Sequence, residues 1–168
     1  LLFPLLIKPN TRKDLEVDIF RNLQIKSPEE LEKQTSQFEY YFEKGLTFLI
    51  SEIVPGNTNG TIHTYVAYIS KSKQILNSWI GQKLTQFPDD YGVFSSGSNQ
   101  SHNVVESQGR ALVEGMGLEG IVQPEFKYDP RDDKYKLMEI NLRSMMWHRV
   151  GNLSGVKLQY SQWLDATN

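Results

Sequence analysis

Apolar residues along the chain follow two different periods, and together these predict a mixed fold of strands and helices. Helical spacing predicts one helix that begins at the capping box Ser27-Pro28-Glu29-Glu30, presents Leu31, Thr35, Phe38 and Phe42 on one face and ends at Gly45. It predicts a second over Val105–Met116. Alternation or short apolar runs predict strands at 5–7, 21–26, 46–54, 62–69, 74–79, 121–127 and 134–141. This order predicts an α+β architecture, with a polar loop at 87–103.

The last two predicted strands carry a candidate metal site. Residues 129–133 predict a turn between them, and a hairpin centred on Asp132 places Glu125 directly opposite Glu139. Like charges opposed across an antiparallel pair are destabilising, and their Cβ atoms lie roughly 5 Å apart, close enough to share a cation. Alternation along the strand puts Asn141 on the same face as Glu139. We therefore expect these three side chains to bind a metal ion.

The same hairpin has a plainer interpretation, in which its charged face is simply solvated and both acids are unpaired. Pro124 also lies inside the first of the two strands. Because proline cannot donate a hydrogen bond to a strand ladder, it predicts an edge strand or a bulge at that point.

Composition limits the class of protein. The chain has 168 residues, of which 39% are hydrophobic and 23% charged, as expected for a globular domain with a core. A net charge of −2 argues against a nucleic-acid groove driven by bulk electrostatics, and no apolar stretch reaches the length of a membrane span. The absence of cysteine excludes disulfides and thiol chemistry and fits a cytoplasmic protein. Because the chain begins at Leu1 without an initiator Met, we expect it to be a fragment of a longer protein.

Four segments, taken in their order and spacing, resemble the ATP-grasp superfamily of carboxylate–amine ligases. These segments are Pro4–Pro9, Ile50–Gly56, Glu125–Lys127 and Met138–Arg143. Within the superfamily, Trp79–Leu84 and Asn141–Arg149 are most similar to the D-aspartate ligases of Gram-positive cell-wall synthesis. The resemblance implies that residues 1–168 form an ATP-grasp domain, with two α+β lobes around a nucleotide cleft. It also implies a separate N-terminal domain ahead of residue 1.

The resemblance implies ATP and Mg²⁺ as cofactors and assigns nucleotide contacts. Lys8 would contact a phosphate, and Arg21 stands in a predicted strand where the family usually has a second lysine. Glu52, Ile53 and Val54 would form the hinge that binds adenine, because a strand ending there leaves backbone N–H and C=O groups unpaired. The family's glycine-rich phosphate loop has no match in residues 10–20, which contain no glycine. Either this branch covers its phosphates differently, or such a loop is missing.

The reaction implied by the resemblance transfers the γ-phosphoryl group of ATP to a carboxylate, after which an amine displaces phosphate. Lys83, after a predicted turn at 81–82, would neutralise the acyl phosphate. Arg143, if the strand continues past Asn141, would share the face of Glu139 and could reach the same phosphates or hold a substrate carboxylate with both arms of its guanidinium. D-Aspartate and the lysine side chain of a peptidoglycan precursor are the expected small-molecule acid and amine acceptor.

Two alternatives stay open on the sequence alone. One is an ATP-grasp ligase with a different acid and amine, and the other is a nucleotide-binding module that has lost catalysis. The three histidines show neither metal spacing nor a nucleophile partner, and His148 beside Trp147 is interpreted as structural. The sequence does not indicate an oligomeric state.

Overall fold

The computed structural model describes residues 2–10, 18–87 and 93–168, which form two compact units, Leu1–Ile53 and Val54–Asn168. The first unit is a three-stranded antiparallel sheet with two helices. Its elements are β1 (Leu5–Pro9), β2 (Leu23–Ile25), α1 (Pro28–Lys33), α2 (Thr35–Glu43) and β3 (Phe48–Glu52), with strand order β2-β1-β3. Its core consists of Leu5, Ile7 and Ile25 with Phe20, Phe38 and Phe48 packed around them.

The helical segment of the first unit differs from the single helix that the sequence predicts. Ser27 caps α1 as expected, because its Oγ accepts a hydrogen bond from the Glu30 backbone N–H at 3.3 Å. The helix nevertheless stops at Lys33, and α2 begins at Thr35. The predicted apolar face is therefore interrupted, and the side chain of Phe42 at its far end is 58% exposed.

The second unit is a five-stranded antiparallel sheet with helices on both faces. Its elements are β4 (Ile62–Ile69), β5 (Ile75–Phe87), β6 (Val93–Ser98), α3 (Asn103–Gly115), β7 (Gly120–Asp129), β8 (Lys134–Asn141), α4 (His148–Leu153) and α5 (Leu158–Thr167). The strand order is β6-β5-β4-β7-β8. Because β6 occupies part of 87–103, the predicted loop there is wrong over those residues; positions 88–92 lie outside the described part of the chain.

Every residue of the central strand β4 is buried, because the sheet is covered on both sides. Tyr65 and Ala67 lie on one face and pack with Val105 and Val113 of α3. The intervening residues lie on the other face, where Val66 and Tyr68 join a cluster with Trp79, Ile121, Trp147 and Leu158. The Tyr68 hydroxyl also donates to Asp165 Oδ2 of α5 at 2.7 Å. This second face is apolar at one end, and polar side chains follow at the other.

Gly81 and Gln82 lie within β5, so the turn predicted at this point is wrong. A Cβ atom on Gly81 would lie 2.5 Å from a ring carbon of Trp79, which leaves no room for a side chain. Gly151 of α4 meets the same indole, and a Cβ there would lie 2.6 Å from its nitrogen. These two glycines are therefore required by the packing of Trp79, and they let α4 approach the sheet closely.

The β7–β8 hairpin has the predicted register at the positions that matter for the candidate site. Gln123 pairs with Asn141 and Glu125 with Glu139. A bulge then shifts the register, so that Phe126 pairs with Leu137 in the half of the hairpin next to the turn. Because β7 lies between β4 and β8, the edge strand predicted from Pro124 is wrong. The expected irregularity is instead this bulge at the following pair.

Candidate active site

Glu125 lies at the centre of a polar cluster on the second face of the five-stranded sheet. Its Oε2 accepts a hydrogen bond from Lys83 Nζ of the strand β5 at 3.2 Å, and its Oε1 accepts one from Gln123 Nε2 at 2.7 Å. The side chains of Lys83 and Glu125 are only 10% and 8% exposed, respectively. The two form a buried ion pair, in which both carboxylate oxygens already have a donor.

Opposing influences act on the pKa of Glu125, and their net effect raises it. Burial raises the pKa of Glu125, the neighbouring Lys83 ammonium group opposes that rise, and the facing Glu139 carboxylate adds to it. A positive ion between the two glutamates would favour the charged form of Glu125. The electrostatics of this pair therefore suit a cation.

Whether a metal ion fits between Glu125 and Glu139 depends on the ligand atoms that surround Glu139. Glu139 and Glu125 are register partners, and Asn141 Nδ2 donates to Glu139 Oε1 at 3.0 Å. The described residues contain no group of three or more His, Cys, Asp or Glu that could hold a metal ion, so a site here depends on two carboxylates and one amide. An all-oxygen set of this kind fits Mg²⁺, which binds through one or two carboxylates and takes its remaining ligands from water and phosphate.

Gln123 and His148 belong to this cluster but were not predicted as site residues. The Met145 backbone N–H donates to His148 Nδ1 at 3.3 Å, and His148 Nε2 lies 2.6 Å from Gln123 Oε1. Burial lowers the pKa of His148 to about 4, so the ring is neutral near neutral pH. Alternation from Glu125 could have placed Gln123 on the same face, whereas His148 approaches from α4 and has no local signal.

Arg143 does not lie on the strand face that the sequence suggested. The strand β8 ends at Asn141, and Arg143 lies in the following bend, where its guanidinium contacts Met145 Sδ. The condition for the predicted face, a strand that continues to Arg143, is therefore not met.

The predicted phosphate-binding residues Lys8 and Arg21 belong to the first unit. Lys8 is the fourth residue of β1 and is partly buried, close to the strand end as expected. Arg21 is exposed and precedes β2, which begins at Leu23, so its predicted position within a strand is wrong. The question of a phosphate loop in residues 10–20 falls largely on positions 11–17, outside the described residues.

The predicted hinge has fewer unpaired backbone groups than the sequence suggested. Glu52 is the last residue of β3, and its carboxylate accepts from the Leu2 backbone N–H at 3.0 Å. The Ile53 N–H donates to the Pro4 carbonyl oxygen at 3.1 Å. The Val54 carbonyl oxygen accepts from Lys127 Nζ at 2.8 Å. The expectation of free groups is thus wrong for the Ile53 N–H and the Val54 C=O.

Lys127 is a further buried cation that sequence reasoning missed. It lies on the same strand as Glu125, and its ammonium group also donates to the Gly56 carbonyl oxygen at 3.0 Å. Its two carbonyl partners lie more than seventy residues away along the chain, so no local pattern could reveal this role. Lys127 fixes the segment that follows Ile53.

Solved structures with a similar fold identify the architecture. The pyruvate carboxylase of Rhizobium etli matches with a TM-score of 0.65 at 14% identity, over 99% of this chain and 15% of that one. The biotin carboxylase–β,γ-ATP complex from Campylobacter jejuni has a TM-score of 0.62 at 15% identity, over 93% of this chain and 35% of that one. The L-amino acid ligase from Bacillus licheniformis has a TM-score of 0.52 at 14% identity, over 89% of this chain and 34% of that one. The chain has the ATP-grasp fold. The predicted α+β architecture is confirmed, as is the resemblance to this superfamily.

Sequence comparison adds one relative of this ATP-grasp chain. The D-aspartate ligase of Enterococcus faecium (strain Aus0004) is 27% identical over 115 residues, which are 66% of this chain and 26% of the relative. The chain thus spans about a quarter of the length of that enzyme. No family model matches this chain.

No helix in the described part of the chain is long and apolar enough to cross a membrane.

Proposed function

We propose that this ATP-grasp domain belongs to an ATP-dependent ligase that activates a carboxylate as an acyl phosphate and joins it to an amine. The observation that carries the proposal is the register pairing of Glu125 with Glu139 beside the buried Lys83. D-Aspartate is the proposed acid, and the lysine side chain of a peptidoglycan precursor is the proposed amine. Similarity to the enterococcal D-aspartate ligase supports this choice of substrates.

The proposed reaction has two steps, and both depend more on positioned charges in the protein than on covalent catalysis by its side chains. A carboxylate oxygen of the acid forms a bond to the γ-phosphorus of ATP, and the bond to the bridging oxygen breaks with its electron pair as ADP leaves. The amine nitrogen then bonds to the acyl carbon, the bond from that carbon to the phosphate oxygen breaks with its electron pair leaving on phosphate, and the proton of the amine passes to solvent. Mg²⁺, held by Glu125, Glu139 and Asn141, would supply positive charge beside the phosphate oxygens.

The cations have separate proposed roles. Arg143 has the planar fork for a bidentate grip on the carboxylate of the acid that is not phosphorylated, whereas Lys83 offers a point charge for the phosphoryl group in transit. Lys8 and Arg21 would contact the phosphates of ATP. The backbone of Glu52, Ile53 and Val54 would bind adenine, and the free hydrogen-bonding groups for this must be others than the Ile53 N–H and the Val54 C=O.

Release of ADP and phosphate with a panel of acids tests the proposal directly. We expect turnover with D-aspartate plus a lysine-terminated acceptor, little with L-aspartate, and none with the variant Glu139→Gln. Turnover only with other acids would assign the domain to a different branch of these ligases. Neither turnover nor a thermal shift with Mg²⁺ and a non-hydrolysable ATP analogue would favour a module without catalysis, because a ligand of the folded state must stabilise it.

Steady-state kinetics at saturating ATP would separate the roles of the two cations. Arg143→Lys keeps the charge but loses the fork, so we expect a raised KM for the acid with a smaller effect on kcat. Lys83→Ala should act mainly on kcat, because the phosphoryl group carries its extra charge only during transfer. The opposite pattern would show that the two roles are exchanged.

A further inference from the structure

A chain of hydrogen bonds connects the start of α4 to the carboxylate of Glu125, and each link determines the direction of the next. His148 Nδ1 accepts from the Met145 backbone N–H, so this nitrogen carries no proton. In a neutral ring the proton must then lie on Nε2, which donates to Gln123 Oε1 at 2.6 Å. With its oxygen engaged, the Gln123 amide turns its NH₂ group toward Glu125 Oε1 at 2.7 Å.

The direction of these hydrogen bonds is important because the residues that form them are buried. The side chains of Gln123 and His148 are 0% and 1% exposed, so each polar atom depends on partners within the protein. If the Gln123 amide were reversed, its oxygen would face the carboxylate of Glu125, and two acceptors would meet without a proton between them. The Nε2–H of His148 disfavours that reversal because it needs an acceptor on the amide.

We propose that His148 and Gln123 are positioning residues, which hold the Glu125 carboxylate in the orientation that a metal ion requires. The inference rests on the proposed function, since it assumes that Glu125 is a metal ligand. It assigns a role to His148 that its position beside Trp147 does not suggest. Groups that orient a ligand in this way typically change metal affinity by about 10- to 100-fold when they are lost.

The first test is read on the wild-type protein without any ligand, and it uses a variant only to assign the His148 signal. The ¹⁵N spectrum of the wild-type histidines distinguishes the two neutral tautomers. For His148, assigned by its loss in His148→Gln, we expect the Nε2–H form near neutral pH. An Nδ1–H tautomer would reverse every link of the chain and overturn the inference, whatever the protein catalyses.

The second test measures metal affinity, with Mn²⁺ as the probe and its electron paramagnetic resonance signal as the readout, in the presence of a non-hydrolysable ATP analogue. We expect His148→Leu to weaken Mn²⁺ binding by about 10- to 100-fold. His148→Gln retains one donor and one acceptor and should bind Mn²⁺ nearly as wild type does. His63→Leu is the matched control, since His63 is buried on the opposite face of the same sheet, and it should leave affinity unchanged.

The outcomes separate this inference from the proposed function. If wild type fails to bind Mn²⁺ with the nucleotide analogue, the proposed function fails, and the tautomer measurement still judges the hydrogen-bond chain. If wild type binds while His148→Leu binds equally well, the positioning role is wrong. Should His148→Leu not fold, Gln123→Met breaks the chain at its middle link, and unchanged affinity in that variant would count equally against the role.

Discussion

Replacing Lys83 with methionine tests the energetics of the buried ion pair at the centre of the site. Methionine keeps much of the aliphatic volume and removes the ammonium group that lies 3.2 Å from Glu125. Breaking a buried pair by removing one partner typically costs about 3–5 kcal/mol, since the remaining charge is left in a poorly solvated position. The low exposure of both side chains places this pair in the buried class.

Protonation of Glu125 sets an upper limit on that cost. A carboxylate with an ordinary pKa of 4.5 can take up a proton at pH 7 for about 3.4 kcal/mol, at about 1.4 kcal/mol for each pH unit. Because burial already raises the pKa of Glu125 in the wild type, we expect Lys83→Met to lose at most about 3 kcal/mol of unfolding free energy at pH 7. Because the variant raises the folded pKa of Glu125 further, its stability falls as pH rises above 4.5, and the loss should be much smaller at pH 5.

Urea unfolding in the presence of EDTA provides the assay, with the double variant Lys83→Met/Glu125→Gln completing the cycle. The double variant should recover most of the loss, because no unpaired charge remains. Lys73→Met is the control: Lys73 and Glu119 form a pair at 3.0 Å with side chains 52% and 61% exposed, so its loss should cost under about 1 kcal/mol. If Lys83→Met costs no more than Lys73→Met, the reasoning from burial is refuted.

Three further predictions address other parts of the second unit. Glu139→Gln should keep the fold or stabilise it by about 0.2–1 kcal/mol through relief of like-charge opposition, yet abolish ATP turnover; near-normal turnover would remove the metal assignment. Burial lowers the pKa of His63 to about 4 from its ordinary 6.5, and the neighbouring His102 adds to this shift. Stability should therefore fall as pH drops through that range, and His63→Phe should flatten this slope in urea titrations at several pH values. Gly81→Ala should cost about 1–3 kcal/mol of stability through overpacking and so lower the Tm in calorimetry, because its Cβ would meet the indole of Trp79 at 2.5 Å; an unchanged Tm would contradict this packing.

The pairing of Glu125 with Glu139 could be predicted because it depends on local chain properties. A short turn fixes which residues face each other, and alternation fixes the face on which each side chain lies. Turn length and alternation do not place the bulge after Glu125, because β8 is an edge strand with several exposed residues, and only Pro124 signalled an irregularity nearby. Where neither side of a strand must be buried throughout, the side-chain pattern specifies register only weakly.

Other differences between the predicted and the observed structure arise from side-chain contacts that form only in the folded sheet. The glycine at position 81 resembled a turn signal, yet glycine is needed there because the ring of Trp79 occupies the space of a side chain. The bonds from Lys127 to the carbonyl groups of Val54 and Gly56 likewise join distant segments. A single sequence shows which residues occur at such positions, but the tertiary contacts that require them become visible only once the sheet is assembled.

The ion pair and the proposed metal site share one carboxylate, and this sharing has a consequence for the order of binding. Lys83 Nζ donates to Glu125 Oε2 at 3.2 Å, and its charge neutralises a buried acid. A cation between Glu125 and Glu139 would take over that role, since both glutamates would then have a positive partner. We expect the Lys83 ammonium group to become available to a phosphoryl group only under that condition. The pair would thus make the reactivity of Lys83 depend on metal binding, without requiring any movement of the backbone.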